Sequence, residues 1–338
     1  MAAFALPMRP RRTPRAWAAA AAFAACAAAP SVLAHPLPAA ERSMPSTFGW
    51  EFTPWVTTLL AVSLAAYCIG YVRLRSRGNA GRPKRNACLI AFAAGWLVLA
   101  TALVSPLDSL SEALFSAHMV QHESMMIVAA PLLVAGRPLG IWVWALPRRA
   151  RSGVGRAVHW RPWRAFWRWI VSPVPAWILH AAALWAWHAP VLFEAALANP
   201  LIHTLQHASF LITALLFWWS IVGDGATRRR SGHAMLSLFT TMAHTGALGA
   251  LITLAPGLWY PSYIEPASAL GIDPLRDQQL GGLIMWVPAA LAYLLAALGV
   301  AGRWLARGRA LPAAPRPIEV VESRSRGSGA PSVQDASP

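Results

Sequence analysis

An all-α, polytopic membrane helical bundle of about seven transmembrane helices, N-terminus outside and C-terminus cytoplasmic, is the fold class predicted by three features of the sequence. Of its 338 residues 57% are hydrophobic and 12% charged, with 18 Trp and a mean hydropathy of +0.45, a balance that calls for a bilayer as solvent. Apolar runs of about 20 residues, enough to cross a hydrocarbon core of ~30 Å, recur between short charged loops. The Lys and Arg behind the net charge of +16 cluster between those runs. They lack the interleaved exposed aromatics of a groove-tracking surface, so nucleic acid is not an expected partner.

In chain order, residues 1–34 carry Arg9, Arg11, Arg12 and Arg15, an Ala-rich run, then Val32-Leu33-Ala34. This reads as a secretory signal peptide cleaved before His35. A periplasmic N-terminal segment at 35–50 and a transmembrane domain at 51–302 follow. Spans are predicted near 53–72, 87–104, 110–135, 173–192, 200–222, 234–254 and 274–300, from apolar runs punctuated by Pro, Gly and Arg. The Pro-, Ser- and Gly-rich tail, 303–338, is predicted to be disordered and cytoplasmic. With the mature N-terminus outside, the cytoplasmic segments hold 6 basic residues at 73–85, 8 at 137–168, 3 at 228–230 and 6 after 302, against Arg42 and Arg276 outside. That asymmetry sets the orientation and places the chain as a multi-pass protein of the bacterial inner membrane. The 137–168 loop, with Trp142, Trp144, Trp160, Trp163 and Trp167 among its arginines, reads as an interfacial segment on anionic membrane lipid. Cys26 leaves with the leader. Cys68 and Cys88 then supply no periplasmic disulfide framework and read as buried small apolar residues.

Helix starts are marked by caps. Ser109 with Glu112 forms a capping-box pattern, and Asn199-Pro200 and Asp273-Pro274 each set a cap before a proline. Measured from these starts, His118 and His122 fall in the outer half of the third span, and His203 and His207 in the outer half of the fifth. Both pairs sit in one string, His118-Met119-Val120-Gln121-His122 and His203-Thr204-Leu205-Gln206-His207. The i, i+4 spacing sets both rings of a pair on one helix face. His188 ends the fourth span and Asp277 opens the seventh at the same level, with Asp108 and Glu112 at the mouth. Any one such histidine is readily explained as an interhelical hydrogen-bonding residue. Five with an aspartate at one depth imply a shared ligand, because ionisable groups in a span cost free energy.

Imidazoles suit copper, zinc and iron, and the thioethers of Met119 and Met125 tilt the choice toward Cu(I). Haem b held by two histidines from different helices is the competing ligand. His35, once exposed by cleavage, would offer an α-amino group and an imidazole to Cu(II). The deeper His180 and His244 are read first as interhelical hydrogen-bonding residues, and otherwise as a lower site or relay.

From His118-Met119-Val120-Gln121-His122 through Ala130-Pro131-Leu132-Leu133 and Gly136-Arg137-Pro138, the sequence resembles the CtaG family of cytochrome c oxidase assembly factors, the polytopic kind associated with caa3-type oxidases. The likeness continues through Trp187-His188, His203 to Phe210, Trp218-Trp219, Asp277-Gln278-Gln279-Leu280-Gly281-Gly282 and Met285-Trp286, from roughly residue 50 to 300. The resemblance implies a membrane protein needed for an active haem–copper oxidase, with an oxidase subunit as partner. It maps the family's histidines onto His118, His122, His188, His203 and His207 and its acidic position onto Asp277. Glu123 departs from the apolar residue usual there, as a carboxylate able to face the ligand or pair with His188. The expected function is oxidase assembly through copper bound at this His/Asp cluster, without enzymatic activity. The alternatives are a copper permease, for which His180 and His244 would line the path, and a haem b electron-transfer protein.

Overall fold

A computed structural model describes residues 49–77, 81–223 and 228–309 of the chain; the predicted leader, His35 and the tail beyond 309 lie outside the described residues. Among the described residues every regular element is helical. They are α1 (Pro54–Arg75), α2 (Arg82–Val104), α3 (Pro106–Ala113), α4 (Phe115–Glu123), a π-helical turn (Ser124–Ala129), α5 (Ala130–Gly136), α6 (Pro138–Ala145), α7 (Arg148–His159), α8 (Arg161–Ile170), α9 (Pro173–His188), α10 (Pro190–Ala198), α11 (Pro200–Val222), α12 (Arg228–Thr253), a 3₁₀ turn (Pro261–Tyr263), α13 (Ile264–Ala269) and α14 (Pro274–Arg309). Proline opens seven of these helices, at Pro54, Pro106, Pro138, Pro173, Pro190, Pro200 and Pro274. Its missing N–H costs nothing in the first turn, so each one both ends a loop and fixes a helix start.

Among the described residues six helical stretches are long and apolar enough to cross a membrane: α1, α2, the continuous Phe115–Gly136, α11, and most of α12 and α14. The chain is a multi-pass membrane protein. A seventh crossing requires α8 and α9 together. Alone, the 16 residues of α9 span about 24 Å, short of the hydrocarbon core, and α8 meets α9 at a bend of 61°. The fourth span ends at His188 instead of the expected 192, because Ala189 is extended and Pro190 starts a new helix.

Other expectations are corrected. Ser109 is no helix cap: it lies inside α3 and donates to Pro106 O at 3.1 Å. The cap is Ser105, whose Oγ accepts from Leu107 N at 3.2 Å. The third span then breaks at Leu114 (φ −128°, ψ 129°) and restarts at Phe115. Asn199 and Asp273 cap as expected, Asn199 Oδ1 accepting from Leu201 N at 2.8 Å and Asp273 Oδ1 from Arg276 N at 2.8 Å. Residues 303–309, assigned to the tail from sequence, continue α14. Cys68 is exposed on α1 and Cys88 is half-buried, so neither is the core residue expected.

The Phe115–Gly136 span is the bundle's centre. Buried residues make up 61% of its apolar window, against 22% for α1, α2 and α14. One face packs on α2, where Met125, Ala129 and Leu133 join Tyr67, Phe92 and Leu99. The other faces α9, α11, α12 and α14 through Met119, Met126, Phe210, Phe217 and Tyr293. Between them lies the π turn, which widens the helix by a residue and shifts the register of its faces. In that register Met126 O would accept from residue 131, which is proline and has no N–H. Trp218 Nε1 supplies the donor instead, at 2.9 Å. Helix α14 seats closely on its neighbours through small residues: a Cβ on Gly282 would stand 2.8 Å from Gly249 O, and one on Gly281 2.3 Å from the Phe115 ring.

Candidate functional site

The start of α4 needs help from another helix. Leu114 occupies its cap position and offers no side-chain acceptor, so the first N–H groups would be orphaned in a buried place. Asp277, from the first turn of α14, fills the gap. Its Oδ2 accepts from Phe115 N at 2.6 Å and more distantly from Ser116 N, and Oδ1 takes the Ser116 hydroxyl proton in a short bond. The carboxylate thus caps α4 from across the bundle and fixes the height and rotation of the His118 and His122 helix. The hydrogen bonds of the Asp277 carboxylate all go to this turn and none to a histidine.

One turn further, the two histidine pairs meet. Ring centroids of His118 and His122 lie 4.1 Å apart and those of His203 and His207 4.3 Å apart. Across the α4–α11 interface His118 is 5.6 Å from His203 and 6.2 Å from His207, and His122 is 4.9 Å from His207. The four rings form one compact group. Aromatic side chains enclose it: Phe193 of α10 lies 5.1 Å from His118, Phe210 4.7 Å from His122 and Tyr263 6.5 Å from His118. His188 stands one ring away, 6.4 Å from Phe193 and 6.0 Å from Phe210.

The polar atoms of this group are largely without partners. Neither nitrogen of His118 or His122 has a hydrogen bond, nor does Nε2 of His188, His203 or His207. His188 Nδ1 is held by Leu184 O at 2.7 Å, which aims its other nitrogen away from its own helix. A buried imidazole normally finds a partner, because leaving it bare costs roughly 1–3 kcal/mol. Five imidazoles, each with at least one buried nitrogen left bare, are chemically suited to a shared electrophile. Among the described residues no three His, Cys, Asp or Glu side chains have their donors already converged on one ion position.

The other predicted residues fall around the group. Met119 is buried against α14 in the cluster that includes Phe193 and Phe210, whereas the π turn carries Met125 into the α1–α2 cluster. Glu123 is buried with Oε2 unpartnered, and the pairing with His188 considered from sequence does not form. His180 Nδ1 lies 3.3 Å from Thr213 Oγ1, but neither His244 nitrogen finds the interhelical bond expected of it. Sequence reasoning assigned nothing to Gln121 and Gln206, the shared glutamine of the two strings. Both are buried, and the amide of Gln206 has no partner at either atom. Their recurrence at one position of both strings was the available signal.

Gln121 Nε2 bonds Ala102 O at 2.8 Å and Asp108 Oδ1 at 2.5 Å, tying the mouth to α2. Burial, with Glu51 adding repulsion and the Gln121 bond opposing, pushes Asp108 up to about 6 from 3.8. A carboxyl raised on folding favours the folded state in its protonated form; that advantage is complete below pH 3.8 and lost as pH rises through about 6. Asp108→Asn is therefore expected to raise thermal stability above pH 6 by about 1 kcal/mol after allowance for solvent, and to leave it unchanged at the acid end. Melting temperatures of both proteins across this range test it; parallel curves would remove Asp108 as the titrating group.

A multi-pass helical membrane protein with a four-histidine group, its unpartnered nitrogens buried, between two spans is the class defined by this architecture. The family model described as cytochrome c oxidase caa3 assembly factor matches residues 65–307, and the chain belongs to that family. Uncharacterised proteins of Mycobacterium bovis and Mycobacterium tuberculosis are each 27% identical over 266 residues, 77% of this chain and 40% of theirs; one from Mycobacterium leprae is 26% identical, covering 75% and 39%. The chain thus spans about two fifths of the length of the curated relatives it matches. No solved structure matches it.

Proposed function

We propose that the protein supports maturation of a haem–copper oxidase by holding copper, as cargo, at the group formed by His118, His122, His203 and His207, with His188 beside it. The observation that carries this reading is the set of unpartnered imidazole nitrogens enclosed by aromatic rings at ligand-like spacing. An imidazole binds at about 2.0 Å and its centroid lies about 1 Å beyond the nitrogen, so tetrahedral ligands set ring centroids roughly 5 Å apart. Five of the six separations run from 4.1 to 6.2 Å, and the rings must turn and close further for their nitrogens to meet on one ion. A soft cation of low coordination number suits such neutral nitrogens in an apolar enclosure.

One feature favours holding over conduction. The buried Leu184 and Phe210 lie between this level and His180, so apolar side chains separate the deeper histidines from the group. Glu194, on α10, and Asp273, the cap of α14, lie at the same end. On the charge asymmetry, we assign this end to the periplasm and the arginine-rich end to the cytoplasm. The partner is then an oxidase subunit with a copper site on that side, and the protein carries out no catalysis itself.

Metal content and an absorption spectrum of the purified full chain test the reading together. Copper without a Soret band is the expected result. A Soret band with α bands would replace copper by haem b, and zinc would keep the site and change its metal. Reporter fusions at Arg156 and Ser268 check the orientation, reading cytoplasmic and periplasmic respectively.

A further inference from the structure

At the opposite end of the bundle, α1, α6 and α7 enclose a cavity of about 310 Å³ lined by Arg73, Arg77, Arg148 and Arg151, with Ser76 and Trp144. Four cations around one cavity repel, and nothing nearby in the sequence neutralises them: no Asp or Glu occurs from 52 to 107 or from 124 to 193. Arg73 is fixed, its Nη1 donating to Trp144 O, Ala145 O and Leu146 O at 3.1, 2.7 and 3.2 Å, the carbonyls at the end of α6. That arrangement suits a cation at a helix C-terminus. Arg77 and Arg151 both stack on the Trp144 ring, at 4.6 and 4.4 Å from its centroid. Two guanidinium groups thus share one indole, whose π charge is the attraction that holds them there. Helix α7 begins at Arg148 with no side chain capping it, so its first N–H groups add positive potential at the same place.

We infer that this cavity binds the phosphate of an anionic phospholipid headgroup. A phosphodiester oxygen pair matches the forked donors of arginine, and 310 Å³ is within the about 300–1,000 Å³ range of small-ligand sites. The place favours a lipid over a soluble phosphate. The cavity sits where α1 leaves the membrane, and the neighbouring α7–α8 segment exposes Trp160, Trp163, Phe166 and Trp169, the aromatic belt expected at headgroup level. The inference is independent of the metal reading, since it uses other residues at the other end of the molecule.

The test uses the purified full chain, delipidated in detergent, with thermal shift and retained lipid measured after adding phosphatidylglycerol, phosphatidylcholine or inorganic phosphate. Phosphatidylglycerol is expected to stabilise the protein and stay bound, and the other two to do neither. Arg77→Gln with Arg151→Gln should weaken that binding roughly 30-fold, about a factor of five per charge. Arg164→Gln with Arg168→Gln, the same charge change on α8, should leave it intact. Both pairs of arginines are outside the core, and an unchanged elution volume and helical content verify that each variant is folded. Equal stabilisation by inorganic phosphate would overturn the lipid assignment. Equal loss in both double variants would overturn the cavity in favour of diffuse surface charge, as would full binding in the Arg77, Arg151 variant.

Discussion

His122→Ala combined with His207→Ala is expected to abolish copper retention, lowering affinity by roughly 100-fold or more, since even residues behind a metal's ligands are commonly worth 10–100-fold. The change removes the 4.9 Å ring pair and leaves His118 and His203 at 5.6 Å, a site with half its ligands. It should not unfold the protein. The His122 nitrogens and His207 Nε2 make no hydrogen bonds within the protein, so truncation loses packing but also removes polar atoms that were costly to bury. The second readout follows from linkage. Wild-type protein should gain about 4 kcal/mol of stability at a thousand-fold excess of copper over its dissociation constant, and the double variant should gain almost nothing. Metal analysis after dialysis and melting curves with and without Cu(I) measure both. Equal copper and equal thermal gain in the two proteins would take these histidines out of the site.

Why the four rings were legible in the sequence and their support was not comes down to the range of the interactions. Both histidine pairs are local, each fixed by the 3.6-residue period within a single helix, and apolar runs with their Pro, Gly and Arg punctuation mark the spans that carry them. Leu114 is an ordinary helix former, and nothing within ten residues announces a break there. The group that makes the break tolerable, Asp277, is 162 residues away. From sequence its depth beside the histidines read as ligation. Met125 shows a similar limit: at seven residues from His118 it shares its face in a regular α-helix, but the π turn moves it to the α2 side. Pro131 could have signalled that irregularity, because its missing N–H must be compensated somewhere. The short α9 was likewise hidden, since the Trp-rich α8 that would complete the span is broken by Arg161, Arg164 and Arg168 and reads as interfacial.

Oxidase activity in cells is expected to separate His122 from Asp277 by the route through which it is lost. With His122→Ala, activity should fall severalfold while the protein stays near its normal abundance, and excess copper should restore part of it, because mass action refills a weakened site. With Asp277→Asn, one acceptor oxygen becomes an amide N–H₂ facing groups that themselves donate, Phe115 N, Ser116 N and the Ser116 hydroxyl. Losing that cap and leaving donors buried costs roughly 2–3 kcal/mol, a large share of a membrane protein's margin, so abundance should drop. Activity per molecule of surviving protein should hold, and added copper should not help. His159→Ala, exposed on α7, serves as the silent control. The measurement is oxidase activity beside immunoblot level for the three variants, at low and high copper. Normal abundance with lost, copper-rescued activity in Asp277→Asn would make the aspartate a ligand instead of a cap. Full activity of His122→Ala at low copper would remove the histidine group from oxidase maturation, because no second set of unpartnered imidazoles is available among the described residues at that end of the bundle.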